Sequence, residues 1–229
     1  MKRAANGVPD LTTDRAQALA LTPVSRETGE RLDRFVALLL HWRGTTNLVA
    51  PSTTAKLWTR HVADSLQLLE LAPDARIWID LGSGGGFPGL VVACALAEKP
   101  GTLVHLVESN GKKVAFLREA QRVTGAPAHV HAERIEDFAS RFQSRADVIT
   151  ARAVAPLKTL VTQCFPLLGK TGAISLFLKG QNAEVELREA ADSWAAKSWA
   201  VDADMVPSRT DPTARIVRIR DLARGSAKP

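Results

Sequence analysis

The residues best arranged for chemistry are glycines. Between Asp80 and Gly89 the chain reads Asp80-Leu81-Gly82-Ser83-Gly84-Gly85-Gly86-Phe87-Pro88-Gly89, with five glycines in eight positions. The run follows a short β-type stretch, Ile77 to Leu81, and opens a helical pattern, Pro88 to Glu98. Glycines there permit positive φ and let a ligand lie against bare backbone. In open α/β sheets ligands bind at the carboxyl ends of the strands, where this loop falls. Spacing selects the ligand. A dinucleotide fingerprint, GxGxxG, needs its third glycine at position 87, which is Phe87; Gly82, Gly84 and Gly86 make GxGxG instead. Asp80, directly before the loop, is placed to hold a positively charged amino group. That suits the methionine end of S-adenosylmethionine better than a pyrophosphate. Pro88 reads as the first helical residue, where its missing N–H costs nothing. At the end of the next strand, Leu106-Val107-Glu108, the acid can take the two ribose hydroxyls of an adenosine. The alternative is an acid that merely favours the following helix N-terminus; the glycine loop favours the ribose role.

The elements that must position these residues alternate. Further β-type runs fall at Leu103 to Val107, Ala128 to His131, Val148 to Thr150 and Ile174 to Leu178, with helical stretches at Lys112 to Thr124, Leu157 to Leu168 and Ala183 to Lys197. Such alternation predicts a parallel sheet with helices on both faces. Val201 to Val206 and Arg215 to Arg220 are strands separated only by SRTDPTA, too short for a helix, so the last two strands should pair antiparallel. The expected fold is therefore α/β: a Rossmann-like class I methyltransferase with a seven-stranded, mostly parallel sheet and an antiparallel last strand.

An all-helical segment precedes it. Leu32, Phe35, Val36, Leu39 and Leu40 recur at helical spacing. A second helix is expected to start at Thr53 or Thr54, either of which could cap it, and to end at Pro73. Residues before 25 carry no clear period and read as a loose tail or a poorly specified helix. The predicted organisation is a tail and helical extension over residues 1–74, the methyltransferase domain over 75–222, and a disordered tail over 223–229.

Composition narrows the partners. The 229 residues carry 30 Lys and Arg against 24 Asp and Glu, a formal net charge of +6, with a pI of about 9.7. A basic balance points first to a polyanion, nucleic acid above all. Cys94 and Cys164, both in apolar surroundings, predict neither a disulfide framework nor a metal site, and no metal is expected. The longest apolar stretch, Phe87 to Ala97, is too short to span a bilayer, so the chain reads as cytoplasmic with no membrane partner.

Several segments together resemble one family, the RsmG (GidB) methyltransferases, which modify guanine N7 in 16S ribosomal RNA. The resemblance runs from about Leu38 to Leu222 and rests on WRGTTNLVAP, WTRHVADSLQLL, DLGSGGGFPGL, LVESNGKKVAFLRE, AERIEDF, ITARAVAPL and LFLKGQ. Val49 stands where the family often has Thr, and Glu108 where it often has Asp. The resemblance implies S-adenosylmethionine as cofactor, with contacts at Gly82 and Phe87, at Ile135 and Glu136 flanking the adenine, and at Arg152. Together with Asp80, Gly84 and Glu108 these make up the expected cofactor site. It implies 16S ribosomal RNA, or the small subunit, as partner; a monomer is expected.

On the substrate side, N7 carries a lone pair and no proton, so no general base is required. After the fourth strand the chain reads Ala151-Arg152-Ala153-Val154-Ala155-Pro156, not the N/D-P-P-aromatic tetrapeptide of amino-group methylation. Cys94 and Cys164 read as small apolar helix residues, not nucleophiles. N7 and O6 are acceptors that a cation matches, and Arg152 and Lys179, both at strand ends, are candidates. His61 and Asp64, at (i, i+3), can touch; they either order their helix or, with Asn47, wall the guanine pocket. In the two basic clusters, Lys112, Lys113, Arg118 and Arg122, and Arg215, Arg218 and Arg220, some residues could contact phosphates; the first reads by default as a solvated helix face, and Arg218 and Arg220, alternating with Val217 and Ile219, could be outward strand positions. The rival readings are a methyltransferase acting on a small molecule or protein, an NAD(P) oxidoreductase, disfavoured by Phe87, and a non-catalytic RNA-binding module, disfavoured by the intact loop.

Overall fold

The computed structural model of the chain describes residues 10–224. Seven strands, β1 (Ile77–Leu81), β2 (Leu103–Glu108), β3 (Ala128–Ala132), β4 (Val148–Arg152), β5 (Ile174–Lys179), β6 (Trp199–Pro207) and β7 (Arg215–Arg224), form one sheet in the order β3-β2-β1-β4-β5-β7-β6. The first five are parallel, and β7 lies antiparallel to both β5 and β6. The expected sheet is observed. β7 also takes in residues 223 and 224, expected to begin a tail; the remainder of that tail, from residue 225, lies outside the described residues.

Chain direction sets where a ligand can enter. From β1 the chain proceeds to β2 and β3 on one side, and β4 and β5 lie on the other. The strand order therefore reverses between β1 and β4, and the crevice beyond their carboxyl ends is the topological switch point. The loops after Leu81 and Arg152 meet there.

The sheet's alternation divides its core. Trp78, Val104, Leu106, Val148, Leu176 and Leu178 belong to an apolar cluster on one face, while Ile79, Leu81, Val107, Ile149, Ala151 and Phe177 belong to the cluster on the other. The first face is covered by α5 (Gly89–Ala95), α6 (Gly111–Thr124) and the N-terminal helices. The second is covered by α7 (Ile135–Arg141), α8 (Leu157–Thr171) and α9 (Ala183–Ala196). Gly125 and Gly172, both left-handed, close α6 and α8.

The N-terminal helices differ from expectation in two ways. Residues expected to be loosely specified include a helix, α1 (Thr12–Leu21). Its anchor is long-range: Asp14 accepts hydrogen bonds from the backbone of Trp58 (2.7 Å) and Thr59 (3.2 Å) and from the Thr59 hydroxyl (2.6 Å). No local period encodes such a contact. After α2 (Arg26–Trp42), which Ser25 caps through the Thr28 N–H, the expected single helix is a composite. A 3-10 helix (Pro51–Lys56) leads into a π-helical turn (Trp58–Ala63), then α3 (Asp64–Leu66) and α4 (Leu68–Leu71). Thr53 caps nothing; its hydroxyl donates to the Ala50 carbonyl at 2.9 Å. The helical extension shares one continuous cluster with the sheet, with Phe35, Trp58 and Leu66 joined to Trp78, Leu106 and Phe116.

Candidate functional site

The glycine loop is packed so closely that side chains are excluded. A Cβ on Gly82, whose φ is +69°, would lie 2.6 Å from a Val154 methyl, and one on Gly85 would lie 2.6 Å from the Leu48 carbonyl oxygen. One on Gly89 would lie 2.5 Å from the Cβ of Asp80 and from a Leu106 methyl. The backbone is thereby exposed to a ligand on one side and pressed on the protein on the other.

Asp80 organises this loop from below. It is buried; one carboxylate oxygen accepts from the Gly89 N–H (3.1 Å) and the other from the Thr150 hydroxyl (2.9 Å). Burial pushes its carboxyl up to about 7, against the pull of those bonds. Strand alternation turns Asp80, expected to meet the cofactor's amino group, to the same face as Trp78 and under the loop. Pro88 likewise sits at the N-cap of α5, one residue before the helical position expected.

Glu108 lies in the cleft. Its carboxylate accepts from the Gly84 N–H (3.0 Å) and the Asn110 N–H (2.8 Å), joining the ends of β1 and β2. A cleft of about 310 Å³ is lined by Gly82, Glu108, Lys113, Ile135, Glu136 and Ala153, among others. Ile135 and Glu136 begin α7, and the Gln163 side chain donates to Glu136 at 2.6 Å. The cleft thus gathers Gly82, Glu108, Ile135 and Glu136 from three loops, each at a strand's carboxyl end.

Two further clefts adjoin it. One of about 260 Å³ runs along the glycine loop past Phe87, Thr53, His61 and Arg152. Phe87 is buried between Phe35 (centroids 5.3 Å apart) and His61 (5.0 Å). His61 Nε2 is 2.9 Å from the Thr53 hydroxyl, and burial, with Arg152 and Arg60 nearby, lowers its pKa to about 3, so the ring is neutral. The other cleft, about 380 Å³, is lined by Arg60, Asp64, Arg152, Ser208 and Thr210, with the Ala153–Pro156 loop. Ala153 lines all three clefts and holds a left-handed φ of +53° without being glycine. Such strain persists only where surroundings impose it, and it clusters at functional sites.

Arg152 stands where the second and third clefts meet. Its side chain is 18% exposed, its Nη1 is buried without a hydrogen bond, and the nearest charge is Asp64 Oδ2 at 3.6 Å. Burial works against its charge and Asp64 supports it. A buried guanidinium nitrogen with an unmade hydrogen bond is costly.

Lys179, expected with Arg152 on the substrate side, lines the same cleft of about 380 Å³, although it leaves its strand on the other face. In the β4–β5 register Arg152 is opposite Leu178, so Lys179 is one step out of phase and its side chain goes to the opposite face. There Nζ donates to the Ala155 carbonyl (2.7 Å) and Glu186 (2.8 Å), with 9% of the side chain exposed. Lys179 steadies the Ala153–Pro156 loop from behind. Asn47 is exposed on an open surface with Leu48 and Pro51, beside the glycine cleft but apart from Arg152. His61 and Asp64, expected as a pair, take separate partners: Thr53 and Phe87 for one, Gln67, Thr210 and Arg152 for the other. The π-helical turn between them displaces the (i, i+3) relation. Ser208 and Thr210, on the β6–β7 connection, are site residues that sequence reasoning missed.

Among the basic clusters, Arg122 pairs with Glu119, Arg218 with Asp204, and Arg220 with Asp202 and Asp204. Lys112 is exposed at the start of α6, and Lys113 reaches the mouth of two clefts. Cys94 and Cys164 are buried, and burial pushes both thiols up to about 12, far from a nucleophile's range. No helix among the described residues is long and apolar enough to cross a membrane.

Sheet order, antiparallel closing strands and a glycine loop over the switch point define a class I S-adenosylmethionine-dependent methyltransferase. Solved structures share the fold: an O-methyltransferase from Bacillus cereus in complex with SAH (TM-score 0.58, 14% identity, 91% of this chain and 97% of that one). A SAM-dependent O-methyltransferase from Thermotoga maritima is also similar (TM-score 0.54, 14% identity, 82% and 72%). Residues 28–214 match the family GidB, rRNA small subunit methyltransferase G. The chain is 58% identical over 214 residues to the Ribosomal RNA small subunit methyltransferase G of Bradyrhizobium sp. (strain BTAi1), covering 93% of this chain and 94% of that protein. It is 56% identical to the protein of that name from Rhodopseudomonas palustris (strain BisB18), over 92% and 88%. The chain belongs to the GidB family, and its methyl donor is S-adenosylmethionine.

Proposed function

We propose that the protein transfers a methyl group from S-adenosylmethionine to N7 of a guanine in the 16S ribosomal RNA of the small subunit. The observation that carries this reading is Arg152, a largely buried guanidinium that lines both the glycine cleft and a second cleft large enough for a base. A cation matches the N7 and O6 acceptors of guanine.

The residues present fit the cofactor. Gly82 and Gly85 offer backbone that no Cβ could share, Glu108 stands at the β2 end for the ribose, and Ile135 gives the adenine an apolar wall. Bound there, S-adenosylmethionine supplies an electrophilic methyl carbon. The protein's task is alignment, which can supply much of the rate. N7 has no proton to lose, and the neutral His61, held by Thr53, is not needed as a base.

In this reading residues 75–222 hold the cofactor, and the helices before residue 74 wall the substrate cleft through Arg60 and Asp64, with the Asn47 loop bordering the glycine cleft. Lys179 positions the Ala153–Pro156 loop and does not touch the base. The exposed Lys112 and the nearby Lys113 meet phosphates, and the protein acts as a cytoplasmic monomer.

The test is methyl transfer from labelled S-adenosylmethionine to unmodified small subunits, with nucleoside mass analysis. 7-Methylguanosine at one site is expected; transfer only to a small molecule or a protein would overturn the assignment.

A further inference from the structure

The carboxylate of Asp64 is asymmetric. Oδ1 accepts from the Gln67 amide (2.8 Å) and the Thr210 hydroxyl (2.8 Å), with the Ser208 hydroxyl at 3.4 Å. Oδ2 has only the Arg152 Nη1, at 3.6 Å, beyond hydrogen-bond distance. The side chain is 14% exposed and lines the cleft of about 380 Å³. Gln67, Ser208 and Thr210 thus hold Oδ1, while Oδ2 has no hydrogen bond and only the long ion pair with Arg152, on a residue that lines the cleft. Preorganisation of this kind, around an oxygen with no hydrogen bond of its own, is how a site is built to read a donor.

We infer that Asp64 Oδ2 reads the Watson–Crick edge of the target guanine, accepting from its N1–H and 2-amino group while Arg152 meets the O6 side. The inference rests on the guanine reading above and names what recognises the base. Guanine presents two adjacent donors on that edge; adenine presents an acceptor at N1 and no 2-amino group. An enzyme acting on a base in structured RNA takes it out of the stack and reads that exposed edge. The same carboxylate has a second effect. When the N7–carbon bond forms and the carbon–sulfur bond breaks, positive charge develops on the purine, and a fixed anion beside it favours the transition state over the ground state. Asn at position 64 keeps an acceptor for Thr210 and Gln67 but offers an amide donor, or no charge, to the base.

The experiment is single-turnover methylation of reconstituted small subunits carrying guanosine or inosine at the methylated position located by mass analysis. Inosine lacks only the 2-amino group and keeps N7. The parent protein is expected to methylate inosine about 10-fold more slowly than guanosine, the cost of one lost bond to a charged acceptor. Asp64→Asn is expected to lose about 10- to 100-fold on guanosine and to treat the two nucleosides alike within about twofold, the signature of coupled partners. Its thermal transition is measured alongside, and the inosine arm with parent protein stands even if the variant is unstable. Equal rates on both nucleosides by the parent, or an undiminished inosine penalty in Asp64→Asn, would overturn the inference. Failure of the parent to methylate guanosine at all would instead strike the guanine reading and take this assignment with it.

Discussion

The Gly84 N–H donates to Oε2 of Glu108 at 3.0 Å, latching the glycine loop of one strand to the end of its neighbour. The acid proposed for the ribose also holds the loop to its neighbouring strand. Glu108→Ala is therefore expected to weaken S-adenosylmethionine binding by about 10- to 100-fold, through lost hydroxyl contacts and a loosened loop. Isothermal titration checks this, and affinity within about twofold of the parent would rule out the role.

The loop's underside allows a stability prediction. At Gly89 an added methyl would meet the Asp80 side chain and a Leu106 methyl, both at 2.5 Å and both held in the core. Gly89→Ala is expected to destabilise the protein by about 1–3 kcal/mol, the usual cost of overpacking. A lowered urea midpoint with an unchanged slope would show it.

Lys179 is expected to act on stability and positioning. Lys179→Ala takes the ammonium donor from the Ala155 carbonyl and from Glu186, which keeps only the Leu157 N–H (2.8 Å), at a cost of about 1–3 kcal/mol. Adding Glu186→Ala should restore part of that loss, because the stranded charge goes with it. A double variant as unstable as the sum of the singles would contradict the pairing.

Acid should weaken the fold through its buried imidazoles. His61 is held near 3, below its ordinary 6.5, so it stays neutral when folded and takes a proton when unfolded. That contribution to stability is full above about 6.5 and is lost as pH falls toward 3. His105 and His131, lowered to about 4 by burial, act in the same direction. Asp80, raised to about 7, acts oppositely: its contribution is full below about 4 and is lost as pH rises through 7. Replacing His61 by Gln removes one acid-sensitive share, so the variant should lose less stability than the parent between about pH 6.5 and 4.5. Urea midpoints across that range check the sign.

Much of this was legible in the sequence because it was local. Gly82, Gly84 and Phe87 mark the loop by spacing, Glu108 and Arg152 are marked by ending strands, and the SRTDPTA connection is too short for anything but an antiparallel turn. What was not legible depends on register and on distant partners. Lys179 and Arg152 look equivalent until the register puts Leu178 opposite Arg152. Nothing local to Asp80 announces its bond from Thr150, on another strand. Asp64's partners Ser208 and Thr210 come from the far end of the chain, and α1 depends on a contact between Asp14 and Trp58 that no period announces.

The central claim is that the cleft of Gly82, Glu108 and Ile135 holds the cofactor and opens at Ala153 onto Arg152. A crystal structure with S-adenosylhomocysteine tests it most directly. Adenine is expected against Ile135, ribose hydroxyls on Glu108, and the sulfur at the Gly82–Ala153 junction, facing the Arg152 cleft. Ligand in another cleft, or a sulfur turned away from Arg152, would contradict it.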